Sequence, residues 1–462
     1  MLPDLALLEM FDFYVYEEHI AAWHTLVHVS RRWRNLVFGS PRRLGLSLCC
    51  TASTRVSEML DVWPPLPIYV CDDDHEKCGV DNIIVALKLG DRICQLELFD
   101  IPASQMEELL PEMQRPLPLL KELWLWFEEK PSSVDHTSFL GGSTPCLETL
   151  NLDCIPFLAI PKLLLSATHL VHLRLRRIPH AESFSPEAMV SCLSVLTRLE
   201  ILVIRFRHPR FRLDLKSRHP LAPPHTRTLL PVLTELQFFG EGGYLEDLVA
   251  RIDAPLLNKL DITFQHLIFD NSQLTQFISR APKFKALDEA RVIFSDWDAS
   301  VILSRKSDEA LQLTISSRQL YLQFSSLVRV GSASFPRALI SPVKHLYFLE
   351  PEGRRLDKHR QDNDESSEWL ELLHPFTSVE DLYISRRFVP HVVPALQGAI
   401  GESVAEVLPA LRNLFLEEPI PSGPVQEAVE QFVAARQLSG HPITICHWER
   451  EYNRLPYDPF PF

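Results

Sequence analysis

Trp124 and Trp126, together with Arg174, Arg176, Arg205 and Arg207, are the side chains in this sequence whose types and spacing bear most directly on chemistry. Each pair is separated by a single residue, so in an extended segment both members point to the same side. Guanidinium forks grip carboxylate or phosphate with two parallel hydrogen bonds, and arginine and large aromatic residues dominate binding hot spots. In a chain of net charge −14, such a group of arginines is expected to meet an acidic or phosphorylated segment of a protein partner. The competing reading has the tryptophans packed under flanking loops and the arginines paired with Asp153 and nearby glutamates. The run Arg205–Arg227 adds Arg210, Arg212, Lys216, Arg218 and Arg227 among Pro220, Pro223 and Pro224. It reads as an inserted loop, either a flap facing an anion or a solvated surface.

Catalytic chemistry has no comparable signature. The phosphate-binding G-x-x-x-x-G-K-[ST], the dinucleotide G-x-G-x-x-G, the zinc-protease H-E-x-x-H and the nucleophile elbow G-x-S-x-G are all missing. Cys71-Asp72-Asp73-Asp74-His75-Glu76-Lys77-Cys78 gathers thiols, carboxylates and an imidazole. Its spacing is not that of a structural zinc site, and no second ligand pair lies nearby, so it reads as an acidic connector. The expectation is a protein that is not an enzyme, with no catalytic residue, no metal and no cofactor.

The binding side chains need a framework, and a recurring phrase supplies one. Leucine-like residues stand at its positions 1, 4 and 6: Ile93-Leu96-Leu98, Leu120-Leu123-Leu125, Leu147-Leu150-Leu152, Leu170-Leu173-Leu175 and Leu199-Leu202-Ile204. The series continues with Leu233-Leu236-Phe238 and Leu257-Leu260-Ile262, then Val343-Leu346-Phe348, Val379-Leu382-Ile384 and Leu411-Leu414-Leu416. Its middle residue recurs every 23–34 residues from Leu96 to Leu260. This is the pattern of leucine-rich repeats in a long, irregular form. One repeat cannot bury its own apolar face, so neighbours must stack.

Between the phrases lie helix-like stretches such as 104–113, 186–196, 244–252 and 271–279, with Ser185 and Pro186 placed to cap and start the second. Prolines at 118, 145, 231, 255 and 409 precede strand phrases, which helps account for 36 prolines against 15 glycines. The phrase blurs between 284 and 339, where Leu287, Val292, Leu311, Leu313 and Leu322 predict one to three degenerate repeats. Residues 351–368 are strongly charged and read as an exposed loop. A helix over 425–438 and a strand over 443–446 are expected to cap the array.

Residues 2–48 follow a different, helical spacing: Leu5, Leu8 and Phe11 on one face, Leu26, Val29, Trp33 and Leu36 on another. Leu2-Pro3-Asp4, Leu7-Leu8-Glu9-Met10-Phe11 and Leu26-Val27-His28-Val29-Ser30-Arg31-Arg32-Trp33-Arg34-Asn35-Leu36 together resemble the F-box. The tail Pro41–Leu48 is similar to the fungal variety of that motif. The resemblance implies a three-helix module that docks on a Skp1-like adaptor, and through it on a cullin and a RING protein. It carries Leu2, Pro3, Leu8, Phe11, Leu26, Val29 and Trp33 over as the positions that pack against the adaptor or hold the helices together.

The expected fold class is α/β: a small N-terminal three-helix F-box followed by a curved leucine-rich-repeat solenoid, with short parallel strands on the concave face and helices on the convex face. The expected divisions are 1–50 for the F-box, 51–90 for a linker and first cap, 91–420 for the array and 421–462 for the C-terminal cap. The function that follows is substrate recognition for an SCF-type (Skp1-cullin-F-box) ubiquitin ligase. The alternative is a repeat scaffold with no ligase role. The acidic balance opposes nucleic-acid binding, and no apolar run approaches the ~20 residues of a membrane span. Nine cysteines without a C-x-x-C pair, and a start at Met1-Leu2-Pro3-Asp4 without a basic region, predict a cytoplasmic or nuclear protein with free thiols.

Overall fold

The last two leucines of each phrase lie one residue apart, so an extended segment turns both to one side of a sheet, where only the next phrase can cover them. The computed structural model describes residues 2–17, 22–39, 46–72, 78–127, 139–154, 160–178, 184–207, 226–264, 272–295, 298–305, 308–316, 337–350, 366–398, 407–417 and 423–449. The chain divides into two compact units: Met1–Ser217 with His225–Leu233, and Arg218–Pro224 with Thr234–Phe462.

The first unit opens with helices α1 (Asp4–Glu17), α2 (Ala22–Val29) and α3 (Arg31–Gly39), which pack on one another. Leu7, Phe11, Leu26, Val27 and Val37 are buried, and the Phe11 and Trp33 rings lie 4.7 Å apart. The Arg32 side chain clamps the start of α1, pairing with Asp4 and donating to the Leu2 carbonyl. Ser30 breaks the apolar run that spans Leu26 to Leu36: its Oγ accepts the Trp33 N–H at 3.1 Å, an N-cap that makes two helices of one pattern. The inward stripe of α1 is also rotated from the expected one. Leu7 and Phe11, four residues apart and therefore stacked, are buried, while Leu5 is 74 % exposed.

Seven strands follow: β1 (Leu46–Cys49), β2 (Ile68–Cys71), β3 (Ile93–Ile101), β4 (Glu122–Phe127), β5 (Thr149–Asp153), β6 (His172–Ile178) and β7 (Ile201–Phe206). Each pairs parallel with the next. The register aligns Leu96, Leu123, Leu150, Leu173 and Leu202 in one row and Leu98, Leu125, Leu152, Leu175 and Ile204 in another. Both rows are buried, each side chain contributing about 1.5–3 kcal/mol. The leading leucines close identical turns: the N–H groups of Leu120, Leu147, Leu170 and Leu199 donate to the carbonyls of Leu117, Thr144, Ala167 and Leu196 at 3.1–3.2 Å.

Helices α4 (Val56–Val62), α5 (Val80–Leu87), α6 (Ala103–Leu109), α7 (Ile160–Ser166) and α8 (Pro186–Leu193) connect the strands. Ser185 caps α8 by accepting the Ala188 N–H at 3.2 Å. The ladder of paired strands begins at Leu46, ahead of the expected start of the array at residue 91, and the stretch 51–90, expected to hold a linker and first cap, contains β2 and two helices. Arg43 and Pro65 stand where β1 and β2 would carry the leading leucine of the phrase, so the motif does not register there.

The second unit contains β8 (Glu235–Gly240), α9 (Gly242–Val249), β9 (Lys259–Phe264), α10 (Ser272–Arg280), β10 (Glu289–Phe294), β11 (Asp298–Arg305), β12 (Asp308–Ser316) and β13 (His345–Leu349). It closes with α11 (Ser366–Leu373), β14 (Asp381–Ile384), α12 (Val389–Gly398), β15 (Asn413–Leu416), α13 (Pro424–Leu438) and β16 (Thr444–His447). Its strand order is β8-β9-β12-β11-β10-β13-β14-β15-β16.

The expectation of parallel strands throughout fails at one place. β11 runs antiparallel to both β12 and β10. Leu287-Ala290-Val292 is a true repeat on β10, parallel to β13. Leu311 and Leu313 belong instead to an inserted strand, β12, which extends the rows of Leu260 and Ile262 beside β9. Two strands thus separate β9 from the next repeat in the chain. Leu322 lies outside the described residues, as does most of the charged stretch 351–368, whose last three residues open α11. Behind β10 and β13, Trp369 of α11 is 1 % exposed and packs its indole against Phe294, Phe348 and Phe388, with ring centroids 5.4–6.1 Å away.

Candidate functional site

On the ladder of the first unit the side opposite the buried leucines is mostly half-exposed, with Thr149, Asp153 and Val203 buried, and its residues line up across strands. One row runs Cys49, Cys71, Glu97, Trp124, Asn151, Arg174 and Val203. The next places Trp126 beside Asp153, and Asp153 beside Arg176. Charge is graded along this face. Glu97 accepts from the Tyr69 hydroxyl at 2.7 Å and from Gln95, which also reaches Glu122. Arg174, Arg176 and Arg205 occupy β6 and β7, and the tryptophans stand between acid and base. The Trp124 Nε1 is buried with no acceptor among the described residues.

The centre of the basic end is Asp153. On β6 two residues, Arg176 and Arg177, fit between Leu175 and Ile178, opposite one residue on β7. Arg177 takes a left-handed conformation, φ 47°, and the bulge re-aims its side chain. The guanidinium pairs with Asp153, donates to the Phe127 carbonyl and sits 5.9 Å from the centre of the Trp126 ring. Burial pushes the Asp153 carboxyl above its ordinary range, although Arg177, Arg176 and Arg205 all pull it down. One buried carboxylate therefore holds together a surface on which arginine is in excess.

Of the residues singled out in the sequence, Trp126, Arg176 and Arg205 come together around Asp153, and Trp124 and Arg174 flank them one step back along the strands. Arg207 is exposed beyond the end of β7, its N–H donating to Ile178, and the basic stretch 208–225 lies outside the described residues. Arg177 escaped sequence reasoning because alternation assigns it to the opposite side from Arg176; only the bulge brings it back. Arg177→Leu should lower stability by about 1–3 kcal/mol, because Asp153 loses its closest counter-charge. Chemical denaturation measures this, and the double change with Asp153→Asn should recover part of the loss.

On the N-terminal helices, Phe11 and Leu26 are buried, Leu8 and Trp33 are half-buried, and Leu2, Pro3 and Val29 are exposed. Leu5, which the periodicity placed on the inward face with Leu8 and Phe11, is exposed as well, as are Met10, Phe13 and Phe38, to which the periodicity did not point.

The second unit carries an aromatic row on the side of its sheet away from the leucines. Tyr347, Tyr383 and Phe415 are register neighbours and stack with centroids 4.2 and 4.3 Å apart. Trp448 sets its ring edge-on to Tyr383 at 5.6 Å.

Among the described residues no group of three histidine, cysteine or carboxylate side chains is arranged to hold a metal, and no helix is long and apolar enough to cross a membrane. Residues 73–77 of the acidic connector lie outside the described set.

No family model matches the chain, and no curated protein matches it either. Among solved structures, the leucine-rich repeat-containing protein LegL7 from Legionella pneumophila is similar over 84 % of this chain and 97 % of that chain, with 13 % identity and a TM-score of 0.31. The repeat architecture described above rests on the strand register within each unit.

Proposed function

We propose that this chain is the target-recognition subunit of an SCF-type ubiquitin ligase, acting in the cytoplasm or nucleus. The N-terminal helices would dock on a Skp1-like adaptor that joins a cullin and a RING protein. The ladder would capture the protein to be modified. The stacked repeats themselves support an interaction role, since such arrays offer extended surfaces rather than closed pockets.

One observation carries the ligase reading. Six of the thirteen exposed large apolar side chains among the described residues, Leu2, Leu5, Met10, Phe13, Val29 and Phe38, fall on or beside three short helices whose interior is already closed. Apolar surface concentrated in this way marks an interaction site, and its place coincides with the stretch that resembles the F-box. Co-expression with a Skp1-type adaptor, followed by purification of the complex, tests the reading. Failure of the two to co-purify when both are folded defeats it.

The chemistry of the target follows from the arginines. Arg174, Arg176 and Arg205 beside Trp124 and Trp126 suit a carboxylate- or phosphate-bearing peptide anchored by aromatic contact. Arg176→Glu combined with Arg205→Glu should weaken binding of a phosphoserine peptide library by about tenfold or more, given about 1.5–3 kcal/mol for a charge-assisted hydrogen bond. Wild-type binding should fall steeply with added salt. Equal binding by wild type and the double variant in a pull-down would remove the arginines from the site.

A further inference from the structure

We propose that Cys49 and Cys71 form a reversible cross-strand disulfide that staples the outermost strand of the first unit to its neighbour. β1 and β2 are parallel, and Cys49 and Cys71 are direct register partners. They therefore project from the same face on backbones ~4.8 Å apart, inside the usual 4.4–6.8 Å range of Cα separations for disulfides. Neither cysteine is in a disulfide, and both are half-buried. The two side chains already touch: Cys71 shares a hydrogen bond with Cys49 and lies 3.9 Å from the Ser47 hydroxyl.

Neighbouring cysteines are placed differently. Cys50 faces the opposite side, fully buried, with its thiol on the Leu48 carbonyl at 3.8 Å. The Cys94 thiol donates to the Ile68 carbonyl at 3.3 Å. Cys78 lies beyond β2, beside Thr51.

The position in the sheet makes the bond a switch. Among the described residues β1 is paired on one side only, so it can yield, at the cost of slight strain, where the geometry of the bond requires it. A bond closed under that slight strain is readily reduced again.

The oxidant is a small-molecule disulfide such as oxidised glutathione. The Cys49 thiolate attacks one of its sulfurs and expels one glutathione thiolate. The Cys71 thiolate then attacks the mixed disulfide at Cys49 and expels the second. The protein loses two electrons and two protons, and one glutathione disulfide becomes two glutathione thiols. Burial raises the Cys71 thiol above its ordinary value, so closure should accelerate as pH rises.

The test incubates the full chain in glutathione buffers from reduced to oxidised, traps remaining thiols by alkylation and maps the peptides by mass. The expected result is joint loss of alkylation at Cys49 and Cys71, with a cross-linked peptide two hydrogens lighter that dithiothreitol reverses. The Cys71→Ser chain should stop at a glutathione adduct on Cys49, while Cys446→Ser should behave as wild type. Separate glutathione adducts on both cysteines in the wild type, a cross-link to any other cysteine, or two thiols that stay alkylatable in oxidised buffer would each overturn the proposal.

Discussion

Aspartate at both Phe13 and Val29 should abolish capture of a Skp1-type adaptor while leaving the fold intact. The two side chains are 65 % and 55 % exposed, so neither contributes much to the interior of the helical cluster, and surface changes of this kind usually alter stability by about 0.5 kcal/mol or less. If both sit in the docking surface, each truncation is worth about 2 kcal/mol or more, and burying a carboxylate against an apolar partner adds to that. The combined loss corresponds to at least about a hundredfold in affinity, measurable by titration calorimetry or co-purification. Phe11→Ala is the informative contrast. Phe11 is buried against Trp33, so its removal should cost the cluster about 3–5 kcal/mol and abolish binding by unfolding it. Loss of binding with Phe11→Ala but not with the aspartate pair would move the docking surface elsewhere.

Trp369→Ala should destabilise the second unit by about 3–5 kcal/mol, a large part of the 5–15 kcal/mol typical of a whole domain. The indole fills the space between Phe294, Phe348 and Phe388, and these residues come from two strands and the helix-side segment beyond β14. No single neighbour can move to refill the volume. Urea unfolding followed by circular dichroism measures the change. A loss below about 1 kcal/mol would mean that the aromatic cluster is not the core that ties the inserted strands to the repeats.

The repeats were legible because their physics is local: three apolar residues at fixed spacing close one turn and one short strand. Where one of the three is replaced, as by Arg43 before β1 and Pro65 before β2, the strand persists because its neighbour covers Leu48 and Val70, but the phrase no longer announces it. The hairpin of β11 and β12 escaped for a different reason. Leu311 and Leu313 have the right spacing for a repeat; what they lack is a sequence mark saying that the chain has already passed to β10 and returned.

The binding face divides in the same way. Trp124, Trp126, Arg174, Arg176 and Arg205 follow from strand alternation. Arg177 does not, because a residue with φ 47° breaks that alternation, and it is Arg177 that holds Asp153 in place. On α1, periodicity singled out Leu5, Leu8 and Phe11, whereas the buried stripe is Leu7 and Phe11, the latter packed on Trp33.

The inserted hairpin also bears on how the second unit is assembled as it leaves the ribosome. A stack whose strands follow chain order can add one layer at a time, each new layer finding its seat already built. Here β10 emerges before the pair that must lie between it and β9, so its leading edge has no seat when it is made. The gap closes only after residues 298–316 have been synthesised and have threaded back, which raises the sequence separation of the contacts and slows their formation. Growth by simple accretion therefore stops at β9, and the strands beyond it are expected to lock in together as one cooperative block.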